Sequence, residues 1–248
     1  MKILFTICGR AGSKGIKNKN IRDFLGKPLP YYTLSAIDLY KKMNQEDEID
    51  VVINSDSVEL LNLMSNNPFF KLDTIERDAS LGGDNVGKVL VIQNCLTEME
   101  NRTGKIYDMV VDLDITAPLR TKEDILNLID TQKKKKLDVT FSVTSSRRNP
   151  YFNMVRRVGE GLKLVIESNF TTRQQAPEIY DMNASMYAYS PDFLRTGKDV
   201  LEGYCDCIHM YDTGVLDLDH ENDFELMEVI AKYLFSVKKD FNEIYENI

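Results

Sequence analysis

The chain has 248 residues, 43% of them hydrophobic and 28% charged, with a formal net charge of −8. That is an ordinary globular composition with room for one large α/β domain or one domain with an insert. The acidic balance argues against a nucleic-acid binder, which carries a basic face, and no apolar run is long enough to span a bilayer. The first residues lack the apolar core and cleavage site of a signal peptide, so a cytoplasmic location is expected.

Residues 2–8 form an apolar run that reads as a first strand, and a glycine-rich loop follows over 9–20. Helical spacing of Leu29, Thr33, Ala36, Ile37 and Tyr40 predicts a helix opened by Pro28. A second buried strand is expected over 49–55, a helix over 58–65, a short strand near 72–77, a loop over 79–85 and a helix over 86–99. The run 107–115 reads as a strand, 116–120 as a loop, 122–135 as a helix and 137–143 as a strand. The lysines at 133–136 are a solvated helix end favoured by the dipole. Strands alternating with helices at this spacing imply βαβ units and a mainly parallel sheet.

Near Thr144 the rhythm breaks. A hairpin is expected around Gly159 and Gly161, then a polar stretch at 171–180, so that residues 145–182 look like an insert in a single domain spanning 1–248. Strand-like runs at 184–189, 208–212 and 216–218 and a helix over 222–238 complete the chain.

Four cysteines, at 8, 95, 205 and 207, do not make a disulfide framework, and the Cys205/Cys207 pair has no second pair to complete a metal site. With only His209 and His220, a three-histidine zinc site is excluded and a Ser-His-Asp triad has no support.

The chemistry concentrates in the loop ICGRAGSKGIKNKN at 7–20. Its glycines let the backbone approach a ligand, and exposed N–H groups beside Arg10, Lys14 and Lys19 suit a polyphosphate. The order Ser13-Lys14-Gly15 is not that of a P-loop, and Gly9, Gly12 and Gly15 do not match the dinucleotide fingerprint. Asp217 and Asp219, two apart on an extended chain, share a face suited to a hard divalent cation; capping of the last helix by Asp219 is the competing reading. Asp112 and Asp114 lie late in an apolar strand, where a carboxylate is costly unless paired, metal-bound or at the strand's end. Arg120 and Arg173 are anion-binding candidates, with surface salt bridges as the alternative. Ligands of open parallel sheets sit beyond the carboxyl ends of the strands, and the loop, Asp56, Asp112, Asp114, Asp217 and Asp219 all fall there.

Together these motifs resemble the acylneuraminate cytidylyltransferases, the CMP-nonulosonate synthetases. Carrying the resemblance are Arg10, Gly12-Ser13-Lys14-Gly15 and Lys19-Asn20; Gly26-Lys27-Pro28-Leu29; Asn54-Ser55-Asp56; Thr116 to Arg120 (TAPLR); Arg173-Gln174; and Asp217-Leu218-Asp219. The resemblance covers nearly the whole chain and implies a three-layer, Rossmann-like nucleotidyltransferase fold with a small inserted dimerisation segment. It implies transfer of CMP from CTP to the anomeric hydroxyl of a nine-carbon 2-keto-3-deoxy sugar acid, with pyrophosphate released and Mg²⁺ assisting. Matched residue by residue, Arg10 and Lys19 would act on the phosphates, with Gly12, Ser13, Lys14, Asn20 and Arg77 on the nucleotide. Asp217 and Asp219 would hold Mg²⁺, and Arg120, Arg173 and Gln174 would face the sugar acid. A homodimer is implied, in which the insert, around Tyr180, completes the partner's pocket.

Departures from the sialic-acid pattern shape the substrate expectation. Asp114 stands where glutamine is usual, near sugar or metal, and is expected as a further metal ligand and substrate contact. Asn183-Ala184-Ser185 stands where Asn-Gly-Ala is common. Both features resemble the branch acting on legionaminic acid. The alternatives are pseudaminate or Kdo as acceptor, or a nucleotide-binding protein without catalysis.

Overall fold

The computed structural model describes residues 1–12, 15–83, 86–213, 218 and 220–248. β1 (Lys2–Cys8) lies inside a seven-stranded sheet and pairs in parallel with β4 (Glu48–Ser55) and β6 (Met109–Leu113). Between β1 and β4 come the two-residue strands β2 (Asp23–Phe24) and β3 (Lys27–Pro28), which pair with each other, and then α1 (Leu29–Met43). Beyond β4 the sheet ends in β5 (Asp73–Glu76), reached through α2 (Val58–Ser65), and α3 (Lys88–Thr103) leads back to β6. α4 (Lys122–Lys135) leads to β7 (Val139–Ser145), and β11 (Cys205–His209) pairs in parallel outside it. β8 (Val155–Val158) and β9 (Gly161–Leu164) form the expected hairpin, apart from the main sheet.

β10 (Tyr180–Tyr189) fills the gap between β7 and β6 and runs antiparallel to both. No helical crossover separates β7 from β10; without one to carry the chain back across the sheet, the strand returns in the opposite sense. Tyr180, Asp181 and Met182 already pair with β7, so the excursion outside the sheet is 146–179, and Ser146 N–H donates to the Ile179 carbonyl (3.1 Å) to close its neck. The helices α5 (Pro191–Thr196) and α7 (Lys239–Glu246), absent from the sequence expectation, flank the better-marked α6 (Glu221–Val237). The expected strand at 216–218 lies, apart from Leu218, outside the described residues.

Alternation along the strands builds three layers. Ile3, Phe5 and Ile7 face a core with α1, α4, α6 and α7, whereas Leu4 faces one with α3 and α5. On β6, Met109, Val111 and Leu113 take the first face and Val110 the second. By the same period of two, Asp112 points to the α3 side, and Asp114 follows the strand's end. The carboxyl ends of β1, β4, β5 and β6 thus bring Gly9, Asp56, Arg77 and Asp114 to one rim.

Candidate active site

The loop after β1 is anchored from β4. Gly9 N–H donates to the Asn54 carbonyl (3.2 Å) and Ala11 N–H to Asp56 Oδ1 (2.6 Å), while Asn20 Nδ2 donates to the Arg10 carbonyl (3.1 Å). A Cβ on Gly9 would stand 2.4 Å from Leu60 Cδ2 and 2.9 Å from Ile115 Cδ1, so a larger residue would have to push these buried side-chain tips aside. Gly12 has φ +73°, the left-handed region that glycine occupies without strain. Arg77 fixes the neighbouring strand end: its Nε donates to Asn54 Oδ1 (2.8 Å) and a terminal nitrogen to the Asn54 carbonyl (3.0 Å). Lys19 Nζ donates to the carbonyl of buried Leu218 (2.6 Å), tying the loop to the residue between Asp217 and Asp219.

Arg10, Lys19, Asn20, Arg77, Lys88 and Asp114 line one open cavity of about 920 Å³ of empty volume. At its base, Lys88 Nζ lies 2.9 Å from Asp114 Oδ2 and 2.8 Å from Asp112 Oδ2. The first contact is a hydrogen bond; the second is an ionic contact angled too poorly for one. Asp112 is fully buried and also accepts from Thr6 Oγ1 (2.9 Å), which answers how a carboxylate is tolerated in an apolar strand. Asp114 Oδ1 accepts from the backbone N–H (2.8 Å) and hydroxyl (2.7 Å) of Thr116. Burial pushes the Asp114 carboxyl up, but the Lys88 ammonium and the Thr116 bonds outweigh it and hold the carboxyl well below the usual range. Burial likewise opposes the Lys88 ammonium, and Asp112 and Asp114 outweigh it, so the lysine stays charged. Cys8 also lines this cavity, but a hydrogen bond to Cys95 and burial raise its thiol well above the ordinary range, leaving no thiolate nucleophile.

A second cavity, of about 630 Å³, adjoins the first. Asp114 and Thr116 line both. Its far wall is an irregularity in β10, where the pairing with β7 shifts between Met182 and Tyr187. Ala184 has φ +52° there, a left-handed conformation costly for a residue with a Cβ. That explains why glycine is common at this position in the pattern the chain resembles. Asp114 N–H donates to the Ser185 carbonyl (3.0 Å), locking the bulge to the end of β6. The hydroxyls of Thr144 and Ser185, both on this cavity's lining residues, are buried without a hydrogen-bond partner. Such groups carry a desolvation cost that a bound polar ligand relieves.

The sequence-derived set therefore divides. Arg10, Gly12, Lys19 and Asn20 cluster at the loop, and Arg77 and Asp114 join them at the cavity rim. Ser13, Lys14, Asp217 and Asp219 lie outside the described residues. Asp114, expected as a metal ligand, is ion-paired within the protein by Lys88. Among the described residues no group of three or more acidic, histidine or cysteine side chains is placed to hold a metal. Arg120, expected at the substrate, is fully buried; its guanidinium donates to the carbonyls of Asp114 and Ala117 and shapes that turn. Burial draws it down to about 10 although Asp114, Asp112 and Asp124 favour its charge. Arg173 and Gln174 line a separate cavity with Ser146, Asn149 and Tyr180, sharing no lining residue with the other two, and Arg173 donates to the Ser146 carbonyl (2.6 Å). Sequence reasoning missed Lys88. Its signal was a cation at the first position of a helix, where the dipole disfavours it unless an anion faces it.

Comparison with known proteins follows the same lines. The family described as Cytidylyltransferase matches residues 4–233. The post-translational flagellin modification protein B of Campylobacter coli is 35% identical over 244 residues, covering 97% of this chain and 99% of that protein. The CMP-N,N'-diacetyllegionaminic acid synthase of Campylobacter jejuni is 33% identical over 243 residues, covering 97% and 99%. Among solved structures, CMP:2-keto-3-deoxy-manno-octonic acid synthetase complexed with CTP aligns with a TM-score of 0.62 at 14% identity, over 94% of this chain and 99% of that one; at this identity the likeness is one of fold.

Proposed function

Because the chain belongs to the cytidylyltransferase family, we propose that it transfers CMP from CTP to the anomeric hydroxyl of a nine-carbon 2-keto-3-deoxy sugar acid, a legionaminate-type acid ahead of N-acetylneuraminate. One observation carries this reading: two cavities adjoin at Asp114 and Thr116, one rimmed by the cations of the glycine loop and the other lined, beyond Asp114, by uncharged polar and apolar side chains. The activity named for the Campylobacter jejuni relative supports the choice of acid.

In this reading the triphosphate lies along the loop, its charge balanced by Arg10, Lys14 and Lys19 and by N–H groups around Gly12 and Ser13. Asn20 and Arg77 hold the nucleotide. The acceptor sits against Thr144, Asn183 and Ser185. Its anomeric oxygen attacks the α-phosphorus, the bond from that phosphorus to the bridging oxygen breaks, and pyrophosphate and a proton are released. Catalysis is positioning plus electrostatics: adjoining sites hold the reactants in line, and fixed cations meet the charge that develops on the leaving group. Mg²⁺ is the expected companion of the phosphates, with Asp217 and Asp219 as its protein ligands, where it would neutralise phosphate charge. Arg173, Gln174 and Tyr180 line a cavity of their own, which supports their use in the acceptor site of a second copy in a homodimer. Full activity of a monomer at nanomolar dilution would refute that arrangement. No helix among the described residues is long and apolar enough to cross a membrane, and a cytoplasmic enzyme is proposed.

The test is pyrophosphate release from CTP and Mg²⁺ with a panel of nine-carbon sugar acids. Legionaminate-type acids are expected to be turned over fastest; release with none of the panel would sink the reading. Asp217→Asn is expected to abolish turnover while affecting CTP affinity less.

A further inference from the structure

Four charged groups meet at the end of β6: Asp112 and Asp114, the Lys88 ammonium that contacts both carboxylates, and the buried Arg120 guanidinium whose charge both carboxylates favour. Asp124, which caps α4, also favours the Arg120 charge, so three anions face two cations and the cluster is nearly balanced without a metal. A divalent cation added here would leave a net positive cluster beside the first turn of α3, whose dipole already disfavours positive charge. Yet a carboxylate pair at a strand end, beside a polyphosphate cavity, is the setting in which a hard divalent ion is usually shared between protein and phosphate.

We infer that the Lys88 ammonium takes the place of a divalent cation at the β6 carboxylates, so that Asp112 and Asp114 do not ligate any metal this enzyme uses. An ammonium offers three donors. One bonds Asp114, and the Asp112 contact is ionic, leaving donors for a phosphate oxygen in the cavity that Lys88 lines. Unlike a metal, this charge is covalently attached, is present before the nucleotide arrives and cannot be chelated away. The expected third metal ligand is thereby reassigned: Asp114 orients a lysine. The inference rests on the cytidylyl-transfer reading above.

The test counts bound Mn²⁺ by electron paramagnetic resonance in the presence of CTP, with CTP binding measured in the same samples. Asp114→Asn, which keeps Asp112 beside the lysine, is expected to leave the Mn²⁺ affinity of the CTP complex unchanged. Lys88→Ala, verified as folded by circular dichroism, is expected to take up one more Mn²⁺ per chain than the wild type, and its Tm is expected to rise with added Mn²⁺ more than the wild type's does. Mn²⁺ affinity about tenfold or more weaker in Asp114→Asn overturns the inference, as does a folded Lys88→Ala that binds no more Mn²⁺ than the wild type. If Lys88→Ala does not fold, the Asp114→Asn measurement decides alone. CTP that fails to bind the folded wild type overturns the cytidylyl reading and this inference with it, whereas an unexpected metal count with CTP bound overturns this inference alone.

Discussion

The two adjoining cavities are built on opposite principles. Around the loop cavity most supporting polar groups have protein partners: Asn54 pairs with Arg77, Asp56 with Ala11 and Asp114 with Lys88 and Thr116, while Asp112 accepts from Thr6 on one oxygen and has only an ionic contact to Lys88 on the other. In the neighbouring cavity, Thr144 and Ser185 bury unpartnered hydroxyls, and Ala184 holds a left-handed backbone. In the proposed reading the first is preorganised for a ligand whose phosphates are always the same. The second keeps strain and unmet hydrogen bonds until its ligand arrives, which is where specificity is most readily expressed.

The largest expected effect comes from breaking the satisfied side. Lys88→Ala leaves fully buried Asp112 without its countercharge and should cost about 3 kcal/mol of unfolding free energy, read by urea denaturation. A loss below about 0.5 kcal/mol, typical of exposed ion pairs, would show that the pair is not structurally buried. The pH dependence has a definite sign. Asp114 is depressed in the folded state, so its contribution is present above the unfolded carboxyl value of about 3.9 and fades as pH falls toward its lower folded value. Lys88 is raised, so its share persists below its unfolded value of about 10.4 and is lost only as pH climbs through the folded one. Wild type should therefore lose stability relative to Asp114→Asn only below about pH 4; parallel pH–stability curves there would contradict the assignment.

Gly9→Ala tests the packing of the loop cavity. Its Cβ would meet Leu60 at 2.4 Å, and overpacking of this kind costs about 2 kcal/mol. A lowered Tm with weakened CTP binding is expected, and an unchanged Tm would mean that the strand end yields freely. On the unsatisfied side, Thr144→Val and Ser185→Ala should leave stability within about 0.5 kcal/mol. Each should raise the acceptor KM about tenfold with the CTP KM unchanged; a selective rise in the CTP KM would reverse the assignment of the two cavities. The smallest effect is Ala184→Gly, which relieves the positive φ and should stabilise by about 1 kcal/mol. Destabilisation would mean that the Cβ packs well enough to outweigh the strain.

Legibility followed the same division. α2 and α4 matched their expected bounds because each carries its own start signal: Ser57 accepts from Leu60 N–H (3.2 Å), and Thr121 forms a capping box with Asp124. The loop at 9–20 was readable because its glycines and cations are contiguous in sequence. The direction of β10 was not, since it depends on a missing crossover helix rather than on residues within the strand. α5 and α7, of six and eight residues, are too short to establish a period. Lys88 stayed hidden because its partners lie on β6 and beyond its end, and the burial of Arg120 was not legible because a guanidinium next to a substrate motif reads alike whether it faces the ligand or holds the turn behind it.

The closed neck at Ser146 and Ile179 sets how this fold can change over time. Its ends meet at the Ser146–Ile179 hydrogen bond, with Asn149 Nδ2 donating to the Pro177 carbonyl just beyond, so what hangs farther out can be lengthened, shortened or exchanged with little consequence for the sheet. Doubling the length of such a loop costs only about 0.6 kcal/mol. The excursion is thus a replaceable cassette on a frame held by the sheet itself. New surface chemistry can be tried there by insertion and deletion while the strand ends that carry the loop and Asp114 stay in register.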